Sequence, residues 1–250
     1  MGSNLANIGL ILGLTAVVRP LEVAARVVTR EVPLMILITV GLYAFIIDFQ
    51  IDRADGVVLL IIMVLVLTVI FSTAEGETPE VIIQYESFVD AVTPAETTRA
   101  RLKDAGLILA GSTCLVFAGW VIVDSAEYVA TTIGVPDLLI SLSVIAIGTS
   151  LPELATSLVA AMRNEADIAV GNVIGSNIFN IAGVLGVTGL VAPIDVDPSV
   201  LMAQLPAVLI MAVLVWPVTW AGFKIRRWEG VTLLVTYLLL VAWLFGEGLL

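Results

Sequence analysis

Apolar residues run through this chain in long unbroken stretches rather than in an alternating pattern. Met1–Val18 carries no charge, and Val32–Ile47, Val57–Ala74 and Ala105–Val123 follow it. Leu138–Met162 holds a single charge, Glu153, while Ile168–Ile194, Val200–Phe223 and Val231–Gly246 hold none. A hydrocarbon core about 30 Å thick takes roughly 20 apolar residues as helix. A membrane barrel would show alternating strands of about ten residues instead. The pattern therefore predicts eight transmembrane helices, with Glu31 and Asp48 at the interfaces of the short second stretch. Composition agrees: 60% of residues are hydrophobic and 13% charged, at a mean hydropathy of +1.10, whereas soluble domains carry about 25% charge.

The basic residues order these spans. Arg19, Arg26 and Arg30 lie between spans one and two. Arg99, Arg101 and Lys103 lie between three and four, Arg163 between five and six, and Lys224, Arg226 and Arg227 between seven and eight. Every one of these loops falls on the same side; among the basic residues only Arg53 falls on the other. The positive-inside rule makes the basic side the cytoplasm. Arg19 is the first charge, so the N-terminal stretch lacks the basic start of a secretory signal. The net charge of −11 is concentrated in part in the loop 75–104, which reads as a solvated acidic segment. Cys114 lies in an apolar span and reads as a packing residue. The absence of histidine excludes His-ligated zinc and Ser–His–Asp chemistry, and no nucleophile–base pair or metalloprotease motif points to an enzyme.

The chain also repeats itself. Residues 2–23, GSNLANIGLILGLTAVVRPLEV, return at 175–196 as GSNIFNIAGVLGVTGLVAPIDV. The shared positions include polar ones: Ser3/Ser176, Asn4/Asn177, Asn7/Asn180 and Thr15/Thr188. Pro33 matches Pro206, and Asp55-Gly56-Val57 matches Glu229-Gly230-Val231 after a one-residue gap. By the span count the first copy crosses inward and the second outward. Inverted repeats of this kind build many secondary transporters, with the substrate held between the halves near the midplane. The expected units are residues 1–73, a truncated first repeat of three helices; 74–104, an acidic cytoplasmic loop; and 105–250, a complete second repeat of five helices. By the offset, roughly 70 residues, about two helices, are expected ahead of the first repeat.

Span five contains GTSLPELATS, in which Gly148 and Pro152 bracket Thr149, Ser150 and Leu151. Proline removes a backbone donor and clashes with the preceding turn, so a break is expected here. Irregular backbone at membrane depth is tolerated only against protein or water. Glu153 beside the break costs roughly 2.5–3.5 kcal/mol near the bilayer centre unless it has a function or a partner. Span six contributes GNVIGSNIFN, with Asn172, Ser176 and Asn180 four residues apart. Gly171 and Gly175 share that spacing and are expected to allow close helix approach. Span one repeats the pair as Ser3 and Asn7. The donors are a carboxylate, hydroxyls, amide oxygens and bared carbonyls, a hard set that suits Ca²⁺ or Na⁺ over copper or zinc. Asn4, Asn172 and Asn177 read equally well as interhelical glue. Ser141, Ser143 and Thr156 read as helix back-bonders, and Asp124 and Glu127 as a solvated helix end.

GTSLPELATS followed by GNVIGSNIFN resembles the second α-repeat of the sodium/calcium exchangers, in the calcium/cation antiporter superfamily, and residues 2–23 resemble the tail of the first. The resemblance implies an all-α membrane protein, about eight helices of a ten-helix inverted-repeat antiporter fold. It implies exchange of Na⁺ for Ca²⁺ by alternating access, with both ions as substrates and no resident cofactor. Its ion ligands fall on Glu153, Thr149, Ser150, the Ala146 carbonyl, Ser176, Asn180, Ser3 and Asn7. In some members the position of Asn180 is Asp, so the amide here removes a charge. The first repeat's acidic motif has no counterpart in the sequence, so this chain alone is expected to be inactive. The implied partners are Ca²⁺, Na⁺ and the lipid of a prokaryotic plasma membrane, not nucleic acid. Exchange of another pair, H⁺/Ca²⁺ or Na⁺/Mg²⁺, and a non-transporting membrane protein remain open readings.

Overall fold

The computed structural model describes residues 1–74, 98–132 and 145–248. Among them, helices dominate: α1 Gly2–Val18, α2 Val27–Ile46, α3 Arg53–Ala74, α4 Thr98–Thr132, α5 Ala146–Thr149, α6 Leu151–Met162, α7 Ala166–Val191, α8 Val200–Trp220 and α9 Arg227–Gly248. Six are long and apolar enough to cross a membrane, while α1 and α6 are shorter apolar helices. The eight stretches expected from the sequence thus appear, with shifted bounds. Helix α2 starts five residues early because Val27–Glu31 form a helical turn. Helix α4 runs well past its apolar stretch at both ends. The first part of span five, with Ser141 and Ser143, and most of the acidic loop lie outside the described residues.

Among the described residues, four two-residue strands tie the repeats together: β1 Leu21–Glu22, β2 Gln50–Ile51, β3 Ile194–Asp195 and β4 Lys224–Ile225. β1 pairs antiparallel with β4, and β2 with β3. β1 and β3 are equivalent in the repeat, as are β2 and β4, so each ribbon joins one repeat to the other. The two ribbons are images of each other. Val23 N–H donates to Phe223 O at 2.8 Å, and its equivalent Val196 N–H donates to Phe49 O at 2.8 Å. Phe49 and Phe223 both adopt a positive φ, 61° and 53°, uncommon for a bulky residue. The first ribbon joins loops that the charge pattern puts on the basic side, with Lys224 Nζ 3.4 Å from Glu22 Oε1. The second joins the acidic loops of the other side, where Gln50 Nε2 donates to Asp195 Oδ1 at 2.9 Å. The span parity read from the sequence is therefore physically consistent.

The repeat extends to helix irregularities. π-helical turns occur at Asn7–Leu12 and Phe179–Val184, and again at Val27–Glu31 and Val200–Gln204. In the second pair a proline follows the wide turn, Pro33 and Pro206. Widening the turn offsets the missing N–H and relieves the ring's clash with the preceding turn. Helices α3 and α9 start alike. Asp52 and Asp55 exchange side-chain bonds to each other's N–H at 3.0 and 2.8 Å, and Glu229 Oε2 accepts from Arg226 N–H at 2.6 Å, as in a capping box.

Close packing falls between repeats, at glycines. A Cβ on Gly230 would lie 2.7 Å from Gly13 O, and one on Gly56 would lie 2.8 Å from Gly186 O. These are equivalent contacts, α1 on α9 and α7 on α3. The expectation for Gly171 and Gly175 is not met: a Cβ on either would have no described neighbour within 4 Å. Spacing of small residues marks a candidate face, but the crossing point of two helices decides which face is used. Cys114 is likewise exposed on α4 rather than packed, because that helix meets the described core along little of its length.

Candidate cation-binding site

The expected break in span five is real. Helix α5 ends at Thr149, Ser150 leaves helical geometry at φ −96° and ψ 4°, and α6 begins with Pro152 in its first turn. Proline has no N–H to return to the carbonyl four residues back, and its fixed φ suits a helix start. Gly148 lets α4 approach the break: a Cβ there would meet Val123 Cγ2 at 2.2 Å. Thr149 Oγ1 lies within bonding distance of the carbonyls of Ile145, 2.8 Å, and Ala146, 3.1 Å. With its proton so directed, it accepts from Ser3 Oγ at 2.9 Å. Ser3, in the first turn of α1, thus joins one repeat to the broken helix of the other.

Asn180 approaches from α7. Its Nδ2 donates to Asn4 Oδ1 at 2.9 Å, while Asn4 Nδ2 donates to the carbonyl of Asn177 at 3.2 Å. Asn172 donates to Glu153 O at 3.2 Å and Ser157 Oγ at 3.1 Å, and Ser157 Oγ donates to Ala169 O at 3.3 Å. Asn172 is thereby a fastener of α6 to α7. Ser176 is half-buried on α7, Ser150 is buried at the break and Asn7 is buried in α1. Thr156 back-bonds to Pro152 O as expected, 2.9 Å, and Asp124 is exposed. The Glu127 side chain lies outside the described residues.

Three side chains in this region lack what their chemistry demands. Glu153 Oε2, both carboxamide atoms of Asn7 and both of Asn177 are buried with no hydrogen-bond partner among the described residues. Native interiors satisfy nearly all such groups. Starved oxygens beside hydroxyls and carbonyls suit a hard cation stripped of water. The site is not a carboxylate cage: among the described residues no three His, Cys, Asp or Glu come together. A fissure of about 320 Å³ between α4 and the break reaches the site, with Gly119, Trp120, Gly148, Thr149 and Pro152 in its wall. The structure thus joins Ser3, Thr149 and Ala146 directly, and carries Ser150, Glu153, Ser176, Asn180 and Asn7 on elements that pack around them. The role of Asn4 as the link between Asn180 and Asn177 was not legible from the sequence, although its presence among the repeated polar positions was a signal.

A family model described as sodium/calcium exchanger protein matches residues 1–72 and 103–246. The putative antiporter CaxA of Alkalimonas amylolytica is 38% identical over 248 residues, 95% of this chain and 74% of that protein. The inner membrane protein YrbG of Escherichia coli (strain K12) is 37% identical over 226 residues, 88% of this chain and 67% of that one. Among solved structures, the sodium-calcium exchanger NCX_Mj soaked with 10 mM Na⁺ and zero Ca²⁺ superposes with a TM-score of 0.72 at 30% identity, covering 96% of this chain and 74% of that one.

Proposed function

This chain belongs to the sodium/calcium exchanger protein family, and from that premise we propose that it exchanges Na⁺ for Ca²⁺ by alternating access. The family and fold are those of multi-pass membrane transporters, not enzymes. In this reading Glu153, Thr149, Ser150, the Ala146 carbonyl, Ser176, Asn180, Ser3 and Asn7 hold the ions in turn. The observation that carries it is the starved pair at the seam of the two repeats: Glu153 Oε2 and the Asn7 carboxamide, buried without partners among the described residues. Neutral oxygens suffice for Na⁺, whereas a dication needs carboxylate charge to offset its dehydration. One carboxylate shared by both ions makes their binding mutually exclusive, and exclusion is what couples their movements. Residues 1–73 and 105–250 act as the two repeats, joined by 74–104 on the cytoplasmic face of a prokaryotic plasma membrane. The ions are substrates, and no resident cofactor is required.

A half-buried carboxylate with one unpartnered oxygen also suits proton exchange, so the assay must separate the two. In vesicles bearing the intact transporter, an outward Na⁺ gradient should drive Ca²⁺ uptake that survives collapse of the pH gradient. Uptake that follows the pH gradient and ignores Na⁺ would establish the proton-coupled alternative.

A further inference from the structure

Asn4 and Asn177 are equivalent residues of the two repeats, 173 positions apart, and they touch. The contact fixes both amides in the chain of bonds. A peptide carbonyl only accepts, so the atom of Asn4 facing Asn177 O is Nδ2. Asn4 Oδ1 then faces Asn180 and accepts a hydrogen bond from its Nδ2. Asn180 Oδ1 is left turned away from Asn4, as a cation ligand would require. The equivalent set, by the repeat, is Asn177 Nδ2 to Asn4 O and Asn7 Nδ2 to Asn177 Oδ1. Neither bond is made, and the carboxamides of Asn7 and Asn177 are instead buried without partners among the described residues. One repeat's set of bonds is thus complete, while its image is open. The ribbons and the glycine contacts keep the symmetry; these asparagines break it.

We propose that Asn4 and Asn177 are positioning residues that hand the hydrogen bond from one repeat to the other as the transporter changes the side it faces. This rests on the antiport reading above. In the state seen here Asn4 orients Asn180 and leaves Asn7 free. Inverted halves that exchange conformations produce the opposite-facing state. There Asn177 orients Asn7 and Asn180 is released. Each handover re-aims one amide oxygen at the ions while freeing another, and thereby alters the site at each face. Buried amides with alternative partners make a bistable element of the kind that switching requires.

The Asn177 side chain distinguishes this from a static packing role, because it makes no bond in the present state. Only its backbone carbonyl is used, so Asn177→Ala leaves each bond described here intact. A static role therefore predicts a variant that melts at or above the wild-type temperature and transports normally. The handover predicts a folded variant whose KM for Ca²⁺ rises about tenfold at one membrane face. Asn4→Ala should raise it at the opposite face. The measurement uses right-side-out and inside-out vesicles of the intact transporter, with melting followed in parallel. Wild-type KM at both faces for Asn177→Ala, or an equal rise at both, overturns the handover. Should the alanine variant fail to fold, Asn177→Leu keeps the volume and puts the same question. Absence of Na⁺-driven uptake in the wild type would defeat the antiport reading instead; normal wild-type uptake with an unaffected variant defeats the handover alone.

Discussion

Gly230→Ala should loosen the seam between the repeats, and its cost is readable from the contact. The added Cβ would lie 2.7 Å from Gly13 O, 2.9 Å from Ala16 Cβ and 3.0 Å from Val17 N. Two of those atoms are backbone, so no side chain can swing aside. Reaching ordinary van der Waals distance requires α1 and α9 to separate by about 0.7 Å. Forced overpacking of this kind costs about 1–3 kcal/mol. Helix propensity opposes it, since Gly→Ala gains roughly 0.8–1 kcal/mol in a helix. Gly41→Ala supplies the control: it gains the same propensity, and its Cβ would meet nothing within 4 Å. The two variants should therefore differ by about 1–3 kcal/mol, or roughly 2–12 °C in melting temperature for a protein of this size. Thermal unfolding of the intact transporter in detergent measures the difference. Identical melting of Gly230→Ala and Gly41→Ala would refute the reasoning, and with it the claim that glycines set the inter-repeat distance.

Thr15→Val should raise the melting temperature, because the Thr15 hydroxyl is buried without a partner among the described residues and removing it recovers about 1 kcal/mol; a lower melting temperature would count against that. Asn180→Asp should change ion preference more than folding. A unit charge about 4 Å from a cation is worth about 4 kcal/mol per unit of ionic charge at an effective dielectric of 20, while the lost donor to Asn4 costs about 1–3 kcal/mol. The lost donor is common to both ions and cancels in their ratio, so the charge difference of about 4 kcal/mol should raise the ratio of Ca²⁺ to Na⁺ affinities by up to roughly a thousandfold, and competition flux with an unchanged ratio would remove Asn180 from the site.

Some of this architecture is written in the chain and some is not. The spans are legible because hydrocarbon demands apolar side chains and internally satisfied backbone. The break at Ser150 follows from Pro152. Inversion follows from an odd number of crossings between matched segments, and the pairing of β1 with β4 and β2 with β3 gives it physical form. Those ribbons are two residues long and carry no strand pattern, so no reading of the sequence finds them. The π turns are equally silent, since Asn7 and Phe179 begin wide turns without any residue that demands one. The glycine contacts were misplaced because Gly171 and Gly175 show the usual spacing, whereas Gly13, Gly56, Gly186 and Gly230 meet only through the tertiary crossing of opposite repeats. Candidate site residues stand out in the sequence by chemical type; how Asn4 connects Asn180 to Asn177 depends on rotamers, which spacing does not encode.

Glu153 carries the central claim, and equilibrium binding of Ca²⁺ to the intact transporter tests it most directly. Radiolabelled Ca²⁺ should bind the wild type and be displaced by Na⁺, and Glu153→Gln should abolish the specific binding while keeping the wild-type melting profile. Retained Ca²⁺ binding in Glu153→Gln, or Ca²⁺ and Na⁺ bound together without competition, would contradict the account.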